Sequence, residues 1–138
     1  MPKNGSCQMD KGQTLHLFWS SFGVPAIDEN SAYDKQVLEQ LGISYPRITY
    51  EVAESNLGEP VQLTASIWYR NTSWQGVETK AKQIAAFIGY GGKTFPVDGG
   101  YMRIMLPQGT TIFRRMSDPD DSLRRIVINI SVDYLTAT

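Results

Sequence analysis

From Asp10 onward, large apolar side chains fall at Leu15, Phe18, Trp19 and Phe22. That is the i, i+3, i+4, i+7 spacing of one helical face, with Asp10 or Thr14 as cap and Gly23, then Pro25, as the stop. Residues 24–32 are rich in turn formers and read as a loop. A second, short helix over Ser31 to Leu41 places Val37, Leu38 and Leu41 on one face, with Gly42 at its end. The period then changes to two. Ile43 to Val52 reads as a strand with Ile48, Tyr50 and Val52 on one face. Val61, Leu63, Ala65, Ile67 and Tyr69 alternate with Gln62, Thr64, Ser66, Trp68 and Arg70, the pattern of a half-buried antiparallel strand. Asn56 to Pro60 reads as the hairpin connection between the two. Next comes the clearest helix, capped by Ser73 and ended by Gly89, with Val77, Ala81, Ile84, Ala85 and Ile88 on one face. Glu78 and Lys82 form an i,i+4 pair on it.

Four further strands follow: Lys93 to Val97, Tyr101 to Leu106, Thr111 to Met116, and the long Leu123 to Leu135. Turns at Asp98-Gly99-Gly100 and Pro107-Gln108-Gly109 and a polar loop over 117–122 separate them. The order is α(α)ββαββββ. Short connections between successive strands favour antiparallel pairing. The expected fold is therefore α+β, one mainly antiparallel sheet with helices packed on one face. Residues 1–12 read as a flexible N-terminal tail and 13–138 as one domain, a length that buries about two-thirds of the open chain's surface.

Composition narrows the chemistry. The chain has one cysteine, Cys7, and one histidine, His16. An intrachain disulfide is excluded, and three or four zinc ligands of the usual nitrogen and sulfur kind are out of reach. Thirteen Lys and Arg face fourteen Asp and Glu, for a net charge of −1, which gives no general basic footprint for nucleic acid. The longest apolar run, Ile84 to Ile88, is far below the ~20 residues of a spanning helix, and no apolar stretch opens the chain. First residence in a cytoplasm and no membrane partner are the corresponding expectations. The charge is unevenly spread: net −4 over residues 1–59, +2 over 60–98 and +1 over 99–138. Such a bipolar chain suits stacking of copies through unlike faces.

Tempting motifs fail on mechanism. Gly89 to Thr94 ends like a phosphate loop, but Phe87 stands where the first Gly is required, and a helix precedes the segment where a strand should. Asp118-Pro119-Asp120-Asp121-Ser122 lacks the Gly and Glu of a calcium loop, at Leu123 and Asn129. His16 sits beside the apolar stripe as a helix-edge residue, and no Gly-x-Ser-x-Gly elbow occurs. No catalytic, cofactor or metal residue is assigned, and enzyme activity is not expected. The arginines draw more interest. Arg114, Arg115, Arg124 and Arg125 flank the acidic loop on strands expected to be adjacent, each pair offering one side chain to each face of the sheet. They have two readings: ion pairing within the chain to Asp118, Asp120 and Asp121, or pairing across a subunit boundary, where the guanidinium fork is favoured. Trp68 and Trp74 bracket Arg70, and a Trp on the polar face of a strand signals a covering element or a partner. Trp68, Arg70, Trp74, the four paired arginines and the three aspartates are the candidate interface.

An ordered set of segments carries a resemblance. Leu15-His16-Leu17-Phe18-Trp19-Ser20-Ser21-Phe22-Gly23, Tyr45-Pro46-Arg47-Ile48-Thr49-Tyr50-Glu51, the run from Ala65 to Trp74, Arg115-Met116-Ser117-Asp118-Pro119 and the run from Arg124 to Val132 together resemble the tail terminator family of phages and prophages of Gram-positive bacteria, also called tail completion or tail-to-head joining proteins. The resemblance spans roughly residues 13–135. It implies a virion structural protein that forms a homohexameric ring at the head-proximal end of the tail tube, ends tube growth and meets the head-completion or connector protein. DNA then passes through the lumen without specific binding. Such a protein is made in the host cytoplasm and resides in the neck of the virion, with no cofactor. Residues 71–76, 89–100 and 117–122 are the loops expected at ring and stacking contacts. Another neck or tail component, such as a head-completion or tail tube protein, is the alternative, and a small ligand-binding domain or enzyme a more distant one.

Overall fold

The computed structural model describes residues 9–32, 34–42, 44–54 and 59–136. Its organising element is a 14-residue strand near the C-terminus, Leu123–Thr136. In chain order the elements are α1 (Lys11–Ser20), β1 (Ala26–Asp28), α2 (Glu29–Ala32), α3 (Lys35–Leu41), β2 (Arg47–Tyr50), β3 (Val61–Arg70), α4 (Gln75–Ile88), β4 (Lys93–Val97), β5 (Gly100–Met105), β6 (Phe113–Met116) and β7 (Leu123–Thr136). One edge of β7 pairs antiparallel with all of β3. Its other edge is shared, β5 taking residues 131–136 and β6 residues 125–128. The strands form one curled, mostly antiparallel sheet in the order β1-β2-β3-β7-β5-β4, with β6 beside β7. The fold is α+β with helices packed against the sheet.

The period-two pattern builds the core. Ile126, Ile128, Ile130, Val132 and Tyr134 of β7 are buried together with Leu63, Ala65 and Ile67 of β3. The helix stripes close over that face, Leu15, Phe18 and Trp19 from α1 and Val77, Ala81, Ile84 and Ile88 from α4. α1 starts where its first turn is satisfied. The Asp10 carboxylate accepts from the Gln13 N–H and the Gln13 side chain accepts from the Asp10 N–H, a capping box at 2.7 and 3.1 Å. Residues 11 and 12 thus belong to the helix; residues 1–8, with Cys7, lie outside the described residues. Lys80 Nζ donates to the Phe22 carbonyl at 2.6 Å, and the Phe22 and Phe87 rings meet edge-on at 5.6 Å, fastening the end of α1 to α4.

Several expectations are corrected. Residues 24–32 are not only loop: β1 pairs in parallel with β2, and α2 follows directly. Ala26 and Ile27 are both buried, so this strand has no alternation to read, and three residues are too few to show a period. The helix expected over 31–41 is two, α2 and α3, and Asp34 caps the second by accepting from the Gln36 N–H at 2.9 Å. Ile43, the Leu41 side chain and residues 55–58 of the expected hairpin lie outside the described residues. β2 ends at Tyr50, and Val52, beyond it, is exposed. α4 has Trp74 at its cap with no side-chain cap bond; Ser73 stands one residue earlier, its Oγ accepting from the Gln75 N–H at 3.1 Å. Glu78 is bound by Arg115 of β6.

Two substitutions probe this frame. Ile128→Ala, at a fully buried site in the central strand, is expected to lower unfolding free energy by about 2–5 kcal/mol in urea denaturation. Gly100→Ala is expected to destabilise comparably or prevent folding, because a Cβ there would lie 2.1 Å from the Leu135 carbonyl oxygen across the β5–β7 ladder. A midpoint unchanged from the wild type in either variant would contradict the β7-centred core.

Candidate functional site

Because β3 alternates, Trp68 projects from the sheet face opposite α1 and α4. The register places Trp68 between Arg47 of β2 and Arg125 of β7. Its indole N–H donates to Thr49 Oγ1 at 3.0 Å, and the Arg125 guanidinium lies 4.8 Å from the ring centre. Arg125 Nε also donates to Ser66 Oγ at 3.0 Å. Tyr45 extends the cluster, with the Arg47 and Arg70 guanidinium groups 4.4 and 4.8 Å from its ring. Cation–π contacts of this kind hold planar guanidinium groups flat against aromatic faces. They leave part of each donor fork unspent: Arg47 Nε is buried with no hydrogen-bond partner among the described residues.

A second cluster forms on the helical side, where β6 and β7 meet the start of α4. Arg115 and Arg124 lie 4.7 and 5.5 Å from the Trp74 ring. Arg115 Nε donates to Glu78 Oε1 at 2.6 Å. Arg124 donates to the carbonyls of Thr72, Asp121 and Leu123 at 2.8–3.1 Å, tying the loop before β7 to the loop before α4. A recess of about 380 Å³ lies against this cluster, lined by Trp74, Arg115, Met116, Asp118, Asp121 and Arg124.

The placement of the paired arginines follows the expectation that each pair splits across the sheet. Arg115 and Arg124 serve the Trp74 side and Arg125 the Trp68 side. Arg114, one residue from Arg115, is exposed, and its side chain makes no hydrogen bond or ion pair among the described residues. Their pairing with the acidic loop is corrected. Asp120 is bridged by Arg70 at 3.6 Å, and Arg124 reaches the loop through backbone carbonyls. The loop also satisfies itself: Asp118 accepts from the Asp120 N–H, and Asp120 accepts from the Ser122 N–H and Oγ at 2.9 and 2.6 Å. Those Ser122 bonds first, and Arg70 after them, hold the Asp120 carboxyl below the usual carboxylate range. Among the described residues no group of three or more His, Cys, Asp or Glu is placed to hold a metal ion.

Sequence reading missed Tyr45, Arg47, Thr49, Ser66 and Glu78 as members of these clusters. Only the sheet register, which sets Arg47 opposite Trp68, reveals Arg47. It also missed the partners of His16, whose Nδ1 meets the Tyr50 hydroxyl at 2.9 Å while Ser20 Oγ stands 3.4 Å from Nε2. This string is poorly built for nucleophilic catalysis. Ser20 closes α1, where the helix dipole is negative and opposes an oxyanion, and the Ser21 N–H is already bonded to the Phe18 carbonyl.

Two buried phenols make stability depend on alkaline pH. Burial, and then the charge of Asp28, push Tyr50 up from 10.0 to about 12. Burial, and then Glu54, push Tyr134 up to about 12, and its hydroxyl donates to the Ala53 carbonyl at 2.7 Å. The folded state holds these protons more tightly than the unfolded chain. Their stabilisation is therefore complete below pH 10 and is lost as the pH rises from about 10 to about 12. Tyr134→Phe is expected to cost about 1 kcal/mol near neutral pH through the lost hydrogen bond, and to make the alkaline decline shallower. Denaturant titrations across that pH range check both; an alkaline decline as steep as the wild type's would contradict the assignment.

Compared with family models, with curated proteins and with solved structures, the chain has no significant match.

Proposed function

We propose that this chain is a structural subunit that acts by fitting its neighbours, and that it works as a ring-forming tail terminator of a phage or prophage. In this reading six copies close on the head-proximal end of a tail tube, stop its growth and present a surface to the head connector. The observation that carries the reading is the way the family-like segments fall within one continuous frame. The first supplies most of the apolar stripe of α1, the second β2, the third runs from β3 to the cap of α4, and the last two lie in β6 with the start of the following loop and in β7. Segments resembling one family thus supply the α1 stripe, much of the sheet's core face and the arginines and aromatic rings of both clusters.

The chemistry of the surface agrees with such a role. A closed heterologous ring needs two different, complementary patches on each subunit. The acidic N-terminal portion and the arginine-rich C-terminal portion supply opposite signs. Guanidinium groups stacked on Trp68, Trp74 and Tyr45 keep donors available at fixed positions, and Arg and aromatic residues are the types that dominate interface energetics. The single histidine and near-zero net charge suit a subunit that neither catalyses nor grips the DNA it surrounds.

The test is genetic and visual. Removing the gene from its phage or prophage and imaging the particles is expected to give tails of overrun or irregular length that fail to join heads. Tails of normal length, attached normally to heads, would contradict the proposal.

A further inference from the structure

The sheet register shows which two patches can meet. At the level of β6 the sheet is five strands wide. One row runs Ile27, Thr49, Ser66, Val127, Arg114, and the next runs Ala26, Ile48, Ile67, Ile126, Arg115. β1 and β6 are thus the opposite edges of the same rows, about 20 Å apart at the usual strand spacing. β6 pairs only with β7, and β1 only with β2, among the described residues. The two edges differ in sign. β6 carries Arg114, and Arg115 paired with Glu78, and no acid, whereas β1, the two short helices after it and the cap between them carry Asp28, Glu29, Asp34 and Glu39 against a single Lys. Arg114 and Glu39 are exposed, and neither side chain has a hydrogen bond or ion pair among the described residues. The directions also suit each other. β1 runs parallel to β2, β2 and β3 are antiparallel, as are β3 and β7 and β7 and β6, so β1 and β6 of one copy run oppositely, and a neighbour turned only by a ring step would set its β1 antiparallel to β6 and continue the curled sheet.

We infer that copies of this chain join head to tail, the β6 edge of one against the β1–α2–α3 flank of the next. This inference rests on the ring-subunit reading and gives that reading its contact. The contact is heterologous, so each copy offers one arginine edge and one acidic flank, and the rotation repeats until the ring closes. Opposite charge selects this order over its alternatives, because β6 against β6, or flank against flank, brings like charges together. An exposed strand edge with unpaired backbone groups supplies the template, and the edge arginines restrict which chain can use it.

Reciprocal charge reversal tests the contact with the full chain. Sedimentation velocity at low ionic strength is expected to show wild-type association that rises with concentration and weakens with salt. Arg114→Glu alone, and Glu29→Lys with Glu39→Lys, are each expected to weaken association about tenfold or more while leaving the thermal melt unchanged. An equimolar mixture of the two variants is expected to associate again, because alternating copies restore attraction at every contact. The inference is overturned if wild-type protein stays monomeric at every concentration, if either variant associates like the wild type, if Arg114→Glu strengthens association, or if the mixture fails to recover. The tail-length experiment reads separately. Overlong tails with unaffected variants would remove this contact and leave the terminator reading, whereas normal tails with a working charge swap would do the reverse.

Discussion

Everything in this molecule is placed by the ladder between β3 and β7. Ten consecutive residue pairs, from Val61 opposite Val132 to Arg70 opposite Leu123, fix one register. In a sheet with one buried face a slip of one residue would turn every core side chain outward. Ile126, Ile128 and Ile130 would then meet water and Arg125 would meet the helices. The register is therefore strongly specified by burial alone. It sets the two arginine–aromatic clusters as a by-product: successive strand residues point to opposite faces, so Trp68 and Arg125 meet on the face away from the helices, while Arg115 and Arg124 extend the core-side rows toward Trp74. β7 is longer than either neighbour on its far side, so β5 and β6 both fit along it, and β6 becomes a short second edge. The arginine edge of the proposed contact exists because one strand is long enough to serve two.

Charge is arranged within this frame. Trp68 and Trp74 stand on opposite sides of the sheet, and each holds at least one arginine against its ring. Exposed ion pairs such as Arg70 with Asp120 contribute little stability, because solvent screens them. Their value here is positional. Backbone carbonyls, hydroxyls and ring faces occupy part of each guanidinium, and the fork stays oriented. The acidic loop, which sequence alone offers as the arginines' natural partner, is folded onto its own backbone. That leaves the Arg114 side chain free of intrachain partners among the described residues, at the edge where a neighbour would arrive.

The long, regular segments were legible in the sequence. The stripe of Leu15, Phe18 and Trp19, the amphipathic α4 and the alternation of β3 and β7 all rest on local periodicity that burial enforces. β1 was not legible, because Ala26 and Ile27 are covered on both faces and a parallel edge strand is defined by its distant partner. The candidate site was half legible. Trp68, Trp74 and the paired arginines stood out by residue type and alternation. Arg47 and Tyr45 did not, since only the β2–β3 register brings them to Trp68. Nor did the choice of partners: Arg115 takes Glu78, 37 positions away along the chain, over aspartates close by in sequence. Sequence proximity of opposite charges says little when acids such as Asp118 and Asp120 already have backbone N–H groups within reach.

The central claim is that one sheet presents unlike edges which bring copies of the chain together. A reconstruction of the assembled particle by electron microscopy tests it most directly, by showing what lies against β6. The account predicts a closed ring at the tail–head junction in which each β6, with Arg114, abuts the α2–α3 flank of the next copy. A ring whose β6 edges face solvent or one another, or a particle with this chain elsewhere, would contradict it.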